Sequence, residues 1–253
     1  MNRRAQGILL LVIGGAVLRA GLTDVYLRYV RAGLQPLLLV AGVILIIAAI
    51  ATFWYEFRPA LPFGKSRLAA EQPADDGHGH GHGHGHGHRE PRTAWLLFLP
   101  VLALIVVVPP ALGSYAANRT GTALQRPPGF PALPAGSPLK LDLLDYAGRA
   151  VYDTDHSLSG RQVQITGFIT VGGHGTAYLT RMVLSCCAAD ALPVKVGLTG
   201  QISTSTLRPD TWFQVTGTFT TKQDKDEVNG GAIPFIQVSQ STPVKVPKDQ
   251  YES

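Results

Sequence analysis

The sequence predicts a membrane protein in two parts. N-terminal transmembrane α-helices, about three, precede an all-β or mainly β C-terminal domain, for which an OB-like barrel is the specific expectation. Three observations carry this. Long uncharged apolar runs are confined to the first half of the chain. A stretch rich in Pro, Gly and Ala follows them. Short β-branched runs punctuated by glycine turns fill the rest. The 253 residues are 45% hydrophobic and only 15% charged, a balance that leans toward a membrane protein. The expected organisation is two transmembrane helices in 1–57, a His-rich cytoplasmic loop in 58–92, a third helix in 93–114, a linker in 115–138 and a soluble β domain in 139–253.

A helix needs ~20 apolar residues to cross a bilayer core. Leu37–Trp54 has no charge and only Thr52 as a polar residue. It qualifies once extended back to Leu34. Ala94–Leu112 also qualifies, with Pro100 as a kink and Pro109–Pro110 as its end, because proline cannot continue the hydrogen-bond ladder. Trp95 and Tyr115 flank it, where amphipathic rings favour the interface. Gly7–Leu18 is shorter and follows Arg3 and Arg4, which is also the look of a signal peptide. No good small-residue cleavage site follows, and the charged stretch from Arg19 to Arg31 does not resemble a mature secreted start. The expectation is therefore a retained helix, about Ala5–Leu22, with Arg19 reaching toward the headgroups.

The net charge of +5 lies in the membrane half. Residues 1–119 hold eleven Lys/Arg and six Asp/Glu, whereas residues 120–253 hold eleven of each. This reads as topology and contact with the lipid bilayer. No basic stripe with interleaved aromatics appears in the soluble half, so no nucleic-acid partner is expected. Arg3 and Arg4 argue for a cytoplasmic N-terminus. Three crossings then put residues 58–92 in the cytoplasm and the C-terminal domain outside the membrane of the cell.

Gly77–His88 alternates glycine and histidine strictly, and it carries six of the eight histidines: His78, His80, His82, His84, His86 and His88. Neutral imidazole is a common ligand of zinc, nickel and copper. Glycine at alternate places lets the backbone fold the rings around an ion. The same composition also suits a passive disordered linker. Nothing in the tract fixes a tetrahedral geometry, so its binding is expected to be weak and poorly selective.

In the soluble half, Arg161–Val171, Ala177–Leu184, Pro193–Leu198 and Thr211–Thr220 read as strands, with Ile233–Val238 and Thr242–Val246 closing the sheet. Gly172–Gly173 and Asn229–Gly230–Gly231 mark turns. Gly167 and Gly217 lie inside strands, where glycine permits the sharp bend of a small closed barrel. Pro127, Pro128, Pro131, Pro134 and Pro138 make the preceding linker a semi-extended spacer.

Cys186 and Cys187 are the only cysteines. Three readings compete. A bridge between neighbours departs from normal disulfide geometry. Buried apolar cysteines at a strand end are the plain reading. The third is a thiolate site that binds metal or meets a redox partner. Adjacent strand residues point to opposite faces, so both thiols reach one ion only where the strand bends or ends. Asp190 and His174, with His156, are the nearest candidates to complete such a site. Asp142, Asp145, Asp153 and Asp155 cluster nearby, in a pattern typical of solvated turns. There is no G-x-S-x-G elbow, P-loop, H-E-x-x-H or C-x-x-C. No catalytic residue and no enzymatic activity are expected.

Several segments resemble the YcgQ-like family, small bacterial membrane proteins regarded as permease subunits, with N-terminal helices and a C-terminal soluble domain. They are Val108–Pro110 with Leu112–Ser114, Ala117–Arg119, Val163–Phe168, the double-cysteine segment Arg181–Pro193, Trp212–Gly217, and Pro247 with Tyr251. The resemblance implies association with a larger multi-helix permease and supplies no substrate. Combined with the histidines and cysteines, it leads to a specific expectation. The chain is a non-enzymatic, membrane-anchored accessory subunit of a permease that handles a divalent transition metal, zinc first. Two rivals stand beside this. One is an envelope binding module whose OB-like barrel takes a ligand unrelated to metal. The other is a thiol-redox membrane protein.

Overall fold

The computed structural model describes residues 3–57, 102–103, 107, 110–202 and 207–253. The chain divides into two compact units. One is Met1–Arg19 with Leu38–Pro109; the other is Ala20–Leu37 with Pro110–Ser253.

The first unit is built on two helices, α1 (Arg3–Leu22) and α2 (Gln35–Phe57). Among the described residues these two are long and apolar enough to cross a membrane. The third expected helix, at 93–114, and the His-rich loop at 58–92 fall largely or wholly outside the described residues. α2 does not resemble the core helix of a soluble protein. Leu37, Val40, Val43, Ile44, Ile47 and Ile50 are all exposed, a face that only lipid or another apolar surface can cover. The small residues serve the helix pair itself. A Cβ on Gly14 would lie 3.1 Å from Leu45, and one on Gly42 would lie 2.8 Å from Leu18. Ala49 is fully buried. Close backbone approach through small residues is how apolar helices pack without a hydrophobic driving force.

The second unit holds α3 (Ser114–Arg119), β1 (Leu139–Lys140), α4 (Leu143–Tyr152), β2 (Gln162–Val171), β3 (Ala177–Val183), β4 (Leu192–Gly200), β5 (Trp212–Lys225), β6 (Ala232–Pro243) and β7 (Tyr251–Glu252). Five strands close a barrel. β2 pairs antiparallel with β3 and β5, β3 with β4, and β5 with β6, while β4 and β6 run parallel. This is a small closed barrel, as the strand spacing suggested. β1 and β7 add short parallel pairings at β2 and β3.

The closure depends on the in-strand glycines. A Cβ on Gly167 would sit 2.7 Å from the Thr180 carbonyl oxygen, and one on Gly217 only 2.3 Å from that of Gln237. Gly217 lies at a register shift between β5 and β6, where the strand bends. Val163, Ile165, Leu179, Val194, Val215 and Ile236 fill the interior.

α4 caps this core. Leu143, Tyr146, Ala147 and Ala150, spaced at helical period, are buried on one face. Tyr146 is fully buried and donates its hydroxyl to the Phe235 carbonyl at 2.8 Å, and burial pushes its pKa up. Sequence reading placed no helix here. Asp142 and Asp145 are not loop carboxylates: Asp142 is the N-cap residue of α4 and Asp145 pairs with Arg149 at 3.0 Å.

The stretch from 115 to 138 is not a free spacer. It is bonded along the barrel. The N-terminus of α3 is tied down by Asp210, which accepts from the Ser114 N–H at 2.6 Å and the Ser114 hydroxyl at 2.7 Å. Thr122 N–H donates to Asp226 at 3.1 Å, Ala123 N–H to the Pro193 carbonyl at 2.9 Å, and Arg149 to the Pro131 carbonyl at 2.7 Å. Asp226 and Lys195 form a buried ion pair at 2.8 Å. Lys195 also donates to the Thr120 carbonyl at 3.4 Å. The pair thus pins this segment across β4 and the β5–β6 turn.

Candidate metal centre

β3 ends at Val183, and the chain leaves it through Ser185–Cys186–Cys187 into a short 3-10 turn, Ala188–Asp190. That exit solves the problem of adjacent cysteines. In a continuing strand their side chains would diverge. Here the loop folds back on Asp190, whose carboxylate accepts from the backbone N–H groups of Ser185 (3.0 Å), Cys186 (2.8 Å) and Cys187 (3.4 Å). The Cys187 side chain completes a capping box at the start of the turn, in the place usually held by serine or threonine. One ligand atom each from Cys186, Cys187 and Asp190 then lie within 4.8 Å of one another.

Both cysteines are free thiols; Cys186 is exposed and Cys187 half-buried. The Asp190 carboxylate beside it, then Cys187, pushes the Cys186 thiol up to about 11. The hydrogen bond from Cys186, assisted by the three backbone N–H groups, holds the Asp190 carboxyl below its usual value. In the metal-free protein Cys186 is therefore a poor nucleophile near neutral pH, because the thiolate is the reactive form. A divalent cation reverses that logic, since a coordinating thiol is deprotonated outright. Two soft sulfurs and one hard oxygen suit zinc and leave a fourth position open, as in sites that exchange their ion or hold a further ligand.

His174 does not join this group. It lies in the β2–β3 turn, fully exposed, with Nε2 3.9 Å from Glu227. The cysteines follow the opposite end of β3, and seven strand residues separate the ends by roughly 23 Å. His156 sits in the turn after α4 with a positive φ of 51°. His78, His80, His82, His84, His86 and His88 lie outside the described residues.

The cysteine loop has a neighbour that the sequence did not reveal. Residues 20–37, which connect α1 and α2, belong to the same unit as the barrel. Val30 forms an antiparallel bridge with Cys187. Arg31 N–H donates to the Cys186 carbonyl at 3.1 Å, and Ala188 N–H donates to the Tyr29 carbonyl at 2.7 Å. Tyr251 reinforces the contact. Its hydroxyl donates to the Arg28 carbonyl at 3.0 Å and accepts from Leu112 N–H at 3.0 Å. Lys248 pairs with Asp24 at 2.9 Å on the surface.

Asp190 and Ser185 also line a cleft of about 610 Å³, with Phe130, Arg126 and Glu252 among its walls. Glu252 is buried. It accepts from the first N–H groups of α4, Leu143 at 3.0 Å and Leu144 at 2.8 Å, and faces Arg181 at 3.2 Å. Burial outweighs these partners and raises its pKa.

Comparison with known proteins bears on this domain. Residues 144–252 match the family model of the DUF1980 C-terminal domain. The match takes in α4, the barrel and the cysteine loop, and it fits the resemblance to the YcgQ-like family. No curated protein matches the chain. Among solved structures, the crystal structure of a DUF3299 family protein from Pseudomonas aeruginosa PAO1 aligns at 20% identity, over 47% of this chain and 91% of that one, with a TM-score of 0.24.

Proposed function

We propose that this protein is a membrane-anchored accessory subunit whose DUF1980-like domain binds a divalent transition metal, zinc first, at Cys186, Cys187 and Asp190. The observation that carries the reading is the convergence of those three ligand atoms within 4.8 Å in a surface loop. The loop leaves room for exchange, which suits handling an ion more than storing one for structure. The His-rich tract, His78 to His88, supplies a second, weaker collecting site. The partner is a larger multi-helix permease, met through the exposed apolar faces of α1 and α2. Gly14, Gly42 and Ala49 are already used between the helices, so the partner surface lies on their other faces.

The layout supports three crossings. The α1–α2 connector and the C-terminal domain pack as one unit, so they share one side of the membrane. α2 leaves on the opposite side. In this reading the apolar run 94–112 returns the chain before the C-terminal domain. With Arg3 and Arg4 inside, the shared side is extracytoplasmic.

The test is elemental analysis of the full-length protein, purified under reducing conditions, with a C186S/C187S variant beside it. Stoichiometric zinc in the first and none in the second is the expected result. If neither carries metal after dialysis against zinc, the metal reading fails. The 610 Å³ cleft would then favour a barrel that binds an organic ligand. The raised Cys186 thiol argues against a thiol-redox role, which needs a depressed pKa.

A further inference from the structure

We infer that the cysteine loop and the α1–α2 connector form a relay, in which metal binding at Cys186, Cys187 and Asp190 loosens the pairing of residues 29–31 with residues 186–188. This rests on the metal reading above and adds the element that responds to the ion. The same few backbone groups serve both contacts. Cys186 offers its side chain to the site and its carbonyl to Arg31 at 3.1 Å. Cys187 offers its side chain to the site and its backbone to the bridge with Val30. Ala188, between Cys187 and Asp190, donates its N–H to Tyr29 at 2.7 Å.

The shape that presents these groups is set by Asp190 through its bonds to the N–H groups of residues 185–187. A tetrahedral ion bound at ~2.3 Å holds two sulfurs ~3.8 Å apart and competes for an Asp190 oxygen, both of which already accept from the loop N–H groups. The site atoms, already within 4.8 Å of one another, are drawn onto the geometry of the ion. In doing so Asp190 gives up part of its hold on the loop backbone. The Cys186 carbonyl and the Ala188 N–H then lose the placement the connector needs. The connector runs directly into α1 at one end and α2 at the other. Its pairing is thus a place where the ion's presence reaches the helices. Linkage makes the effect reciprocal: whatever weakens the connector's pairing strengthens zinc binding by the same factor.

The experiment follows amide hydrogen exchange in the reduced full-length chain in detergent micelles, with and without zinc ion as the probe. Zinc affinity is measured in parallel. One variant suits the test closely. Arg31 has φ −55°, which proline adopts without strain; Arg31→Pro removes the N–H given to Cys186 together with the guanidinium, and Arg31→Ala, which loses the guanidinium alone, is the reference for it. In the wild-type chain zinc is expected to speed exchange at Arg31 and Ala188 by fivefold or more, roughly the worth of one hydrogen bond, with β2–β6 unchanged. C186S/C187S is expected to show no zinc response. Arg31→Pro is expected to bind zinc about fivefold more tightly than Arg31→Ala, with β2–β6 exchanging as in wild type to show that the barrel is folded. Zinc that binds while exchange at 29–31 and 186–188 stays constant or slows overturns the relay and leaves the metal site standing. Zinc affinity in a folded Arg31→Pro equal to that of Arg31→Ala also overturns it. A wild-type chain that takes no zinc removes both readings.

Discussion

At the scale of single residues, Asp190 decides what the two cysteines are. Its carboxylate gathers three backbone N–H groups, and this turns a strand exit into a loop with both thiols on one side. The same negative charge keeps Cys186 protonated, at about 11 against an ordinary 9.0. The sign is direct: an adjacent anion disfavours a second anion, so removing it lowers the thiol pKa. Asp190→Asn keeps an acceptor and deletes the charge. In metal-free protein at pH 8 its Cys186 should alkylate with iodoacetamide roughly tenfold faster or more, because two pKa units separate the raised thiol from an ordinary one. Equal rates in the two proteins from pH 7 to pH 10 would show that Asp190 does not control the thiol. These residues were legible in the sequence, since Asp190 stands only three places after Cys187. His174 was misleading because its nearness along the chain is spent on traversing β3.

Among the secondary elements, the barrel strands were visible because β-branched runs and glycine turns are local signals. The regions that sequence reading missed depend on tertiary contacts. α4 carries an i, i+3, i+4, i+7 apolar face at Leu143, Tyr146, Ala147 and Ala150 behind an Asp142 N-cap, a signal that was present and was read as a cluster of turn carboxylates. The segment around Thr120–Ala123 gave no such sign. Its backbone groups are satisfied by the remote Asp226, Lys195 and Pro193. The Lys195–Asp226 pair is thereby the staple of that segment. Breaking a buried pair strands a charge, so Lys195→Met should cost about 3 kcal/mol, read by thermal or denaturant unfolding of the full-length chain. The pH dependence has a defined sign. Burial raises the Asp226 pKa, but Lys195 and the N–H groups of Val228 and Thr122 prevail and leave it below its ordinary 3.8. The resulting stability is fully present above about pH 4 and is lost as pH falls through the lowered value. A Lys195→Met protein as stable as wild type at pH 7 would reduce the pair to decoration.

For the whole molecule, the informative contact is the one that joins Ala20–Leu37 to the C-terminal domain. Charge asymmetry alone gives a weak orientation, because Arg19, Arg28 and Arg31 stand in the first loop while Arg58, Lys65 and Arg67 stand beyond α2. Packing supplies the missing constraint. Tyr251 holds the Arg28 carbonyl and the Leu112 N–H at once, so the connector and the start of the soluble domain meet at one hydroxyl. Two segments bonded to the same side chain cannot lie on opposite sides of a bilayer. In the three-crossing arrangement proposed above, residues 58–92 and the histidine tract lie on the other side from Cys186 and Cys187. In a C186S/C187S background, a membrane-impermeant maleimide applied to intact cells should label a cysteine placed by Ser253→Cys, at an exposed position of the C-terminal domain. In the same background, a cysteine placed by Ser66→Cys should stay unlabelled until the membrane is opened. Labelling of both sites in intact cells, or of neither, would break the three-crossing arrangement. It would also separate the histidine tract from any role opposite the cysteines.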